Sequence, residues 1–375
     1  MKILYVSTIS NTVNAFLIPH IKYLLKEGHQ VDIASNVIQE VSSELSRLGC
    51  NIHNIEFQRS PLKKENFSAY KKLKDLVLFG KYDIIHTHTP IASFIARIAC
   101  RNISNIKILY TAHGFHFFKG APLKNWLIYY PMEKFAANYT DAIITINSED
   151  YNSANKLKNT RLKSVFKVHG VGIDFKKFTY NNSQQKNILR SKYGYNSEDF
   201  ILFYAAELNY NKHQDLLIEV INKLKTKIPN IKLLLAGEGS LKEKYEEQVN
   251  KYDLGTNIEF LGFRNDIPNL LKLSDVAVSA SRREGLPVNV MEAMATGLPL
   301  IVTNCRGNRD LVTNGKNGYV TGVNNIDEFT RVVEELYNSH ELRIKLSENS
   351  IELIKDYSTE NVIKELEQIY LNYFK

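Results

Sequence analysis

Two glutamates, Glu284 and Glu292, flank Gly285-Leu286-Pro287 and an apolar run, a spacing that could hold a polyhydroxylated anion. Pro287 suits the first turn of a helix, and residues 288–296 keep a helical pattern until Gly297. Glu284 then sits in the loop before the helix, and Glu292 roughly one and a half turns inside it. From the loop, a carboxylate can accept hydrogen bonds from sugar hydroxyls; from the helix, a second can do the same for a ribose. The free amides within residues 285–288 make an anion-binding end suited to a diphosphate. Acids near a helix start can instead be caps. Glu292 lies too far into the helix for that, and its neighbours are apolar.

Three histidines are the next candidates. His86 and His88 stand two apart on an expected strand and so share a face. No carboxylate or cysteine accompanies them at metal-ligand spacing, so packing and hydrogen bonding at a strand end account for them. His113 follows another expected strand in a turn of small residues, Thr111-Ala112-His113-Gly114, where a side chain can reach a ligand.

These residues need a scaffold, and the chain predicts one. Short apolar runs at 3–6, 31–35, 83–85, 108–111, 142–146 and 166–168 alternate with helical segments. A second set follows at 201–205, 232–236, 258–260, 276–279 and 300–302, with helices around 213–227, 240–251, 267–273 and 287–296. Such alternation implies parallel sheets with right-handed crossovers. The polar stretch 181–186 is the expected linker, within a junction near 173–185. The reading is an α/β protein of two doubly wound, Rossmann-like domains facing across a cleft: residues 1–175, residues 176–355, and a helix over 356–375 returning to the first domain. That last helix has Ser358 as N-cap and buries Val362, Leu366, Ile369, Tyr370 and Tyr373. Ligands of such sheets bind beyond the carboxyl ends of the strands.

At 375 residues the chain exceeds one ordinary core. Cys50, Cys100 and Cys305 are far apart and form no CxxC, which fits a reducing compartment rather than a disulfide framework. The first apolar run is too short for a signal peptide. The net charge is +8, and it is uneven. Residues 1–175 hold 22 Lys/Arg against 13 Asp/Glu, and the rest hold 26 against 27. A basic half that includes Lys63, Lys64, Lys71 and Lys72 suits an anionic surface or a phosphate-bearing substrate, or is simply solvated. It lacks the interleaved aromatics of a nucleic-acid module, so no nucleic acid is expected.

The Glu284/Glu292 pair resembles the E-x7-E pattern of the fourth family of retaining glycosyltransferases, which have the GT-B fold. Other segments resemble that family in order: Ala236-Gly237-Glu238-Gly239-Ser240, Leu261-Gly262-Phe263-Arg264-Asn265-Asp266, Gly307–Val312, Asn317-Gly318-Tyr319, His86–Pro90 and Thr111–Gly114. The run 111–118 is most similar to capsule and exopolysaccharide members.

The resemblance implies roles. Glu284 would hold the donor sugar's hydroxyls, Glu292 the ribose, Lys212 the diphosphate, and His113 the donor sugar. Gly237, Gly285, Leu286 and Pro287 would shape the donor site. The family's usual arginine before that lysine is replaced by Glu207, leaving Arg282, Arg283 or Arg264 to clamp the diphosphate. The first loop, 7–12, also lacks the glycine pair of many members. A D-x-D triplet is absent, and neither metal nor cofactor is expected.

The expected reaction moves an N-acetylhexosamine or deoxy-hexosamine from a UDP-sugar to a lipid-diphosphate-linked glycan, with retention. The enzyme would be cytoplasmic and peripheral at the inner membrane face, docking through the basic first half, with Phe117, Phe118, Trp126, Tyr129 and Tyr130 either joining that contact or, at least as readily, packing in the core or cleft. A nucleotide-sugar epimerase on the same fold and a non-catalytic sugar-nucleotide-binding partner of an assembly complex are the competing readings.

Overall fold

Apolar runs bounded by turn formers become strands, and a computed structural model describes them for residues 1–180 and 183–374. The chain divides into two compact units, one of Met1–Gly172 with Thr359–Lys375, the other of Ile173–Ser358.

In the first unit the strands are β1 Lys2–Ile9, β2 Gln30–Asn36, β3 Ile52–Asn54, β4 Ile84–His88, β5 Lys107–Ala112, β6 Ala142–Thr145 and β7 Ser164–Lys167. They form one parallel sheet ordered β3-β2-β1-β4-β5-β6-β7. The second unit has β8 Phe200–Ala205, β9 Ile231–Ala236, β10 Ile258–Gly262, β11 Val276–Ser279, β12 Leu300–Thr303 and β13 Gly318–Thr321. Its parallel order is β10-β9-β8-β11-β12-β13. Each order reverses direction once, between β1 and β4 and between β8 and β11. The carboxyl ends of those four strands are therefore the places for a ligand in a doubly wound sheet.

Burial follows from this topology. A parallel sheet covered on both faces needs strands apolar throughout, and β1 and β8 are buried almost end to end. The second unit's core joins Leu202, Leu217, Ile221, Leu233, Val278 and Phe329. In the first unit, Leu4, Val6, Ile85, Ala92 and Leu73 form one cluster. The helix Thr359–Leu371 belongs to this first unit, burying Val362, Leu366, Ile369 and Tyr370. Tyr370 Oη pairs with Tyr5 Oη at 2.8 Å and with His86 Nδ1 at 2.5 Å.

Three expectations change. Of the predicted linker, Asn181 and Asn182 lie outside the described residues, while Ser183–Tyr193 is a helix. Gln184 and Gln185 are exposed in its first turn, and the helix is anchored where Lys186 Nζ donates to Asp275 Oδ1 and Arg190 to Leu273 O and Asp275 Oδ2. Two strands are additional. β3 has only Ile52 as an apolar residue, and β13 opens on Gly318, where a Cβ would meet Leu300 O at 2.3 Å.

The third change concerns the aromatic docking residues. Phe117 is buried, stacked on Phe115 at 4.7 Å, and Tyr129 and Tyr130 are half-buried. They fill the space between the helix Leu123–Ala136 and the core. That helix instead exposes Leu123 (73%), Leu127 (67%), Ile128, Phe135 and the edge of Trp126. It is pinned from beneath by Glu133, whose carboxylate accepts from buried Arg97 Nη1 at 2.8 Å.

Candidate active site

The second unit gathers its polar side chains at the carboxyl ends of β8 and β11. After β8 the chain runs through Ala206-Glu207-Leu208 to Asn209, whose Oδ1 and O both accept from Lys212 N. That turn, closed by His213 with φ of 57°, launches the helix Gln214–Leu224. It leaves Lys212 facing the loop after β11, where Nζ donates to Glu284 Oε1 at 2.5 Å. Burial works against the lysine's charge, the Glu284 carboxylate opposes that, and Lys212 ends above its ordinary value. Glu284 Oε1 also accepts from Ser281 Oγ at 2.6 Å, and Ser281 Oγ pairs with Tyr204 Oη at 2.7 Å. Four side chains thus span both sides of the switch point.

The loop carrying Glu284 is held from several directions. Arg306 Nε donates to Glu284 O at 2.9 Å, and Asn211 Nδ2 donates to Arg283 O at 3.0 Å. Gly307, with φ of 81°, lies so close that a Cβ there would sit 2.4 Å from Gly285 O. Leu286 and Pro287 are buried, and Pro287 is the N-cap of the helix Val288–Ala295. Asn289 Nδ2 ties that helix to Ala205 O at the end of β8. A similar close approach fixes Gly237, with φ of 147°, where a Cβ would meet Ala206 O at 2.1 Å. Leu208 N donates to Glu238 O, closing the same zipper, and the Glu207 side chain between them is exposed.

Glu292 stands apart from the ion pair. It is largely enclosed beside Phe203, Ala205, Ile267, Leu271 and Asn289. Its carboxylate makes no hydrogen bond among the described residues. Burial pushes its pKa up to about 7, against a weaker opposing pull from Lys177.

The candidate arginines are differently placed. Arg282 is spent on protein: Nε donates to Tyr210 O, Nη1 to Asn324 Oδ1, Nη2 pairs with His213 Nδ1, and its plane lies 4.4 Å over Tyr210. Arg264 follows edge strand β10 and grips Asp266 through Nε at 2.8 Å and Nη2 at 2.6 Å. That grip holds Asp266 down to about 2. No hydrogen bond or ion pair connects Arg264 with Lys212 or Glu284. Sequence reasoning missed Ser281, Tyr204 and Arg306. The position of Arg306, between the end of a strand and a glycine, was the available signal for it.

In the first unit, His113 lies after β5 and His88 ends β4, with His88 Nδ1 3.0 Å from His113 Nε2. His86 is saturated, pairing with Tyr370 Oη and with Thr111 Oγ1 at 2.7 Å. Burial, reinforced by neighbouring imidazoles, lowers His86 to about 3 and His113 to about 4, so both are neutral near pH 7. Among the described residues no group of three or more His, Cys, Asp or Glu is placed to hold a metal ion.

Residues 185–353 match the family described as glycosyl transferases group 1, and residues 2–147 match glycosyl transferase 4-like. The EpsD protein of Bacillus subtilis (strain 168), which bears a provisional glycosyltransferase name, is 39% identical across 99% of this chain and 97% of its own. An Escherichia coli UDP-Gal:alpha-D-GlcNAc-diphosphoundecaprenol alpha-1,3-galactosyltransferase is 30% identical over 82% of this chain and 79% of its own. Among solved structures, Anabaena HepE in complex with UDP and glucose superposes with a TM-score of 0.83, at 17% identity, covering 99% of this chain and all of that one. Two parallel α/β sheets, matches to both halves and a full-length relative converge: the chain belongs to the fourth glycosyltransferase family and is a glycosyltransferase of the GT-B fold.

Proposed function

We propose that the protein transfers a sugar from a UDP-sugar to a lipid-diphosphate-linked saccharide, with retention and without a metal ion, in the synthesis of a bacterial surface polysaccharide. The observation that carries this reading is the Lys212–Glu284 pair at the β8/β11 switch point. A partly buried lysine held charged beside a carboxylate suits a ligand with an anionic end and a hydroxylated end. Lys212 meets the diphosphate, and Glu284 accepts from the sugar hydroxyls. Glu292 receives the ribose hydroxyls, its unpaired carboxyl being the acceptor they lack once out of water. The donor class is supported by the UDP complex of HepE, and the acceptor class by the name of the E. coli relative.

In the reaction the acceptor hydroxyl attacks the anomeric carbon on the face from which UDP departs. Its proton passes to the leaving phosphate oxygen, and the glycosidic bond replaces the sugar–phosphate bond. Charge growing on that oxygen is stabilised by Lys212 and by the amides at the start of the Val288 helix. His113, neutral at working pH, donates a hydrogen bond to the transferred sugar. The exposed Lys63, Lys64, Lys71 and Lys72, with the apolar face of the Leu123 helix, meet the anionic membrane that bears the acceptor. No helix among the described residues is long and apolar enough to cross a membrane.

The test is a panel of nucleotide sugars, scored first by thermal stabilisation and then by turnover with a lipid-diphosphate saccharide. A UDP-sugar should stabilise the protein and be consumed only with acceptor, giving a product of unchanged anomeric configuration. Conversion of the donor without acceptor would instead favour the epimerase reading.

A further inference from the structure

His88 is 2% exposed and lies in a stack of rings, 5.2 Å from Tyr5 at 23°, 4.4 Å from His86 and 5.3 Å from His113. Its Nδ1 faces His113 Nε2 at 3.0 Å, while its own Nε2 is buried with no partner among the described residues. Burial and the neighbouring imidazoles hold its pKa well below the ordinary value, so the ring carries one proton. A neutral imidazole has one N–H donor and one acceptor nitrogen. Two neutral rings joined by one bond therefore have two arrangements.

In one, His113 Nε2–H donates to His88 Nδ1, and the proton of His88 must sit on Nε2, an N–H buried without an acceptor. In the other, His88 Nδ1–H donates to His113 Nε2, and His88 Nε2 is a bare lone pair. A buried, unmatched N–H is the rarer and costlier defect. The second arrangement wins, and it has an outward consequence. With Nε2 occupied as an acceptor, His113 must carry its proton on Nδ1, which is the nitrogen with no partner among the described residues.

We propose that His88 is a positioning residue that locks His113 in the Nδ1–H tautomer, making it a hydrogen-bond donor, and not a base, toward the substrate. The catalytic meaning of this lock rests on the proposed role of His113; the tautomer itself does not.

Histidine-selective 15N labelling with long-range 1H–15N spectra at neutral pH reads the tautomer directly, with His113→Gln identifying the signals. The wild type should show His113 protonated at Nδ1 and bare at Nε2. His88→Phe keeps a stacking ring and removes the N–H; His113 should then shift toward the Nε2–H form, with kcat falling about tenfold or more, the equivalent of one lost hydrogen bond. His88→Asn, whose amide nitrogen occupies the Nδ1 position, should retain both the tautomer and a kcat within a few-fold of wild type. A wild-type His113 protonated at Nε2, or a His88→Phe spectrum unchanged at His113, would overturn the proposal. A tautomer shift with undiminished kcat in folded His88→Phe would leave the lock standing and overturn the role given to His113.

Discussion

Lys212 Nζ and Glu284 Oε1 stand 2.5 Å apart, which joins the cation and the carboxylate of the proposed donor site in one ion pair. Under the proposed function, a donor opens this pair and satisfies both members separately. Lys212→Ala should therefore lower kcat/KM by about 10²–10³-fold, the usual cost of losing one stabilising group at a developing oxyanion. Residues that act together are not additive. Lys212→Ala/Glu284→Gln should lose much less than the product of the single losses, as measured by steady-state kinetics on all three variants. Independent, multiplicative losses would mean that the pair does not work as a unit.

Glu292 makes a pH prediction with a definite sign. Its folded-state pKa of about 7 lies above the ordinary 4.5, so the folded protein keeps a proton that the unfolded chain releases between those values. Stability contributed by this group therefore declines as pH rises from about 4.5 to 7 and is flat above that, the total being at most about 3 kcal/mol. Glu292→Gln removes the titration. The variant should melt higher than wild type at pH 8 and close to it at pH 4, while donor turnover falls by orders of magnitude. Calorimetric scans at the two pH values read the first effect, and UDP release the second.

Gly237 tests the architecture beneath the site. Any side chain there meets Ala206 O at 2.1 Å and must adopt φ of 147°. Gly237→Ala should cost about 2–3 kcal/mol, lowering the melting point by about 2–4 °C per kcal/mol. It should also weaken UDP binding in titration calorimetry by displacing the Glu207 turn that leads to Lys212. An alanine variant with wild-type stability would show that the two loops part easily.

The membrane surface is tested with vesicles. Each basic residue near an anionic surface contributes about 1 kcal/mol. Reversing Lys63, Lys64, Lys71 and Lys72 to glutamate should weaken sedimentation with anionic liposomes at low salt by more than about 10²-fold, and Leu123→Ser/Leu127→Ser should weaken it independently of salt. Binding unchanged in both variants would rule out this face.

Much of this molecule was legible in its sequence because the scaffold is written in local patterns. The apolar runs that became β1, β8 and β11 are bounded by polar residues such as Ser10-Asn11, Glu198-Asp199 and Ser274-Asp275, and Pro287 and Gly297 bracket a helix found at Val288–Ala295. Contacts between distant segments were not legible. Nothing local says that Arg282 would turn to His213 and Tyr210, about seventy positions earlier. Arg306 acts through its side chain on a backbone oxygen 22 positions earlier, a relation that only the fold creates. The aromatics at 117–130 were ambiguous for the opposite reason: their composition suits an interface and a core alike, and only the fold places Phe117 inside.

The bond between Tyr5 and Tyr370 also bears on how the protein is made. A nascent chain threads out from its N-terminus, and domains ordinarily fold in that order. Here the residues that finish the first unit are translated after Ser358, when the whole second unit is already available. Until they arrive, Tyr5 and His86 have no Tyr370 to meet. The later-made half is therefore the one able to mature first, while the earlier-made half waits on the helix Thr359–Leu371. Loss of the helix Thr359–Leu371 would accordingly injure the unit that begins at Met1.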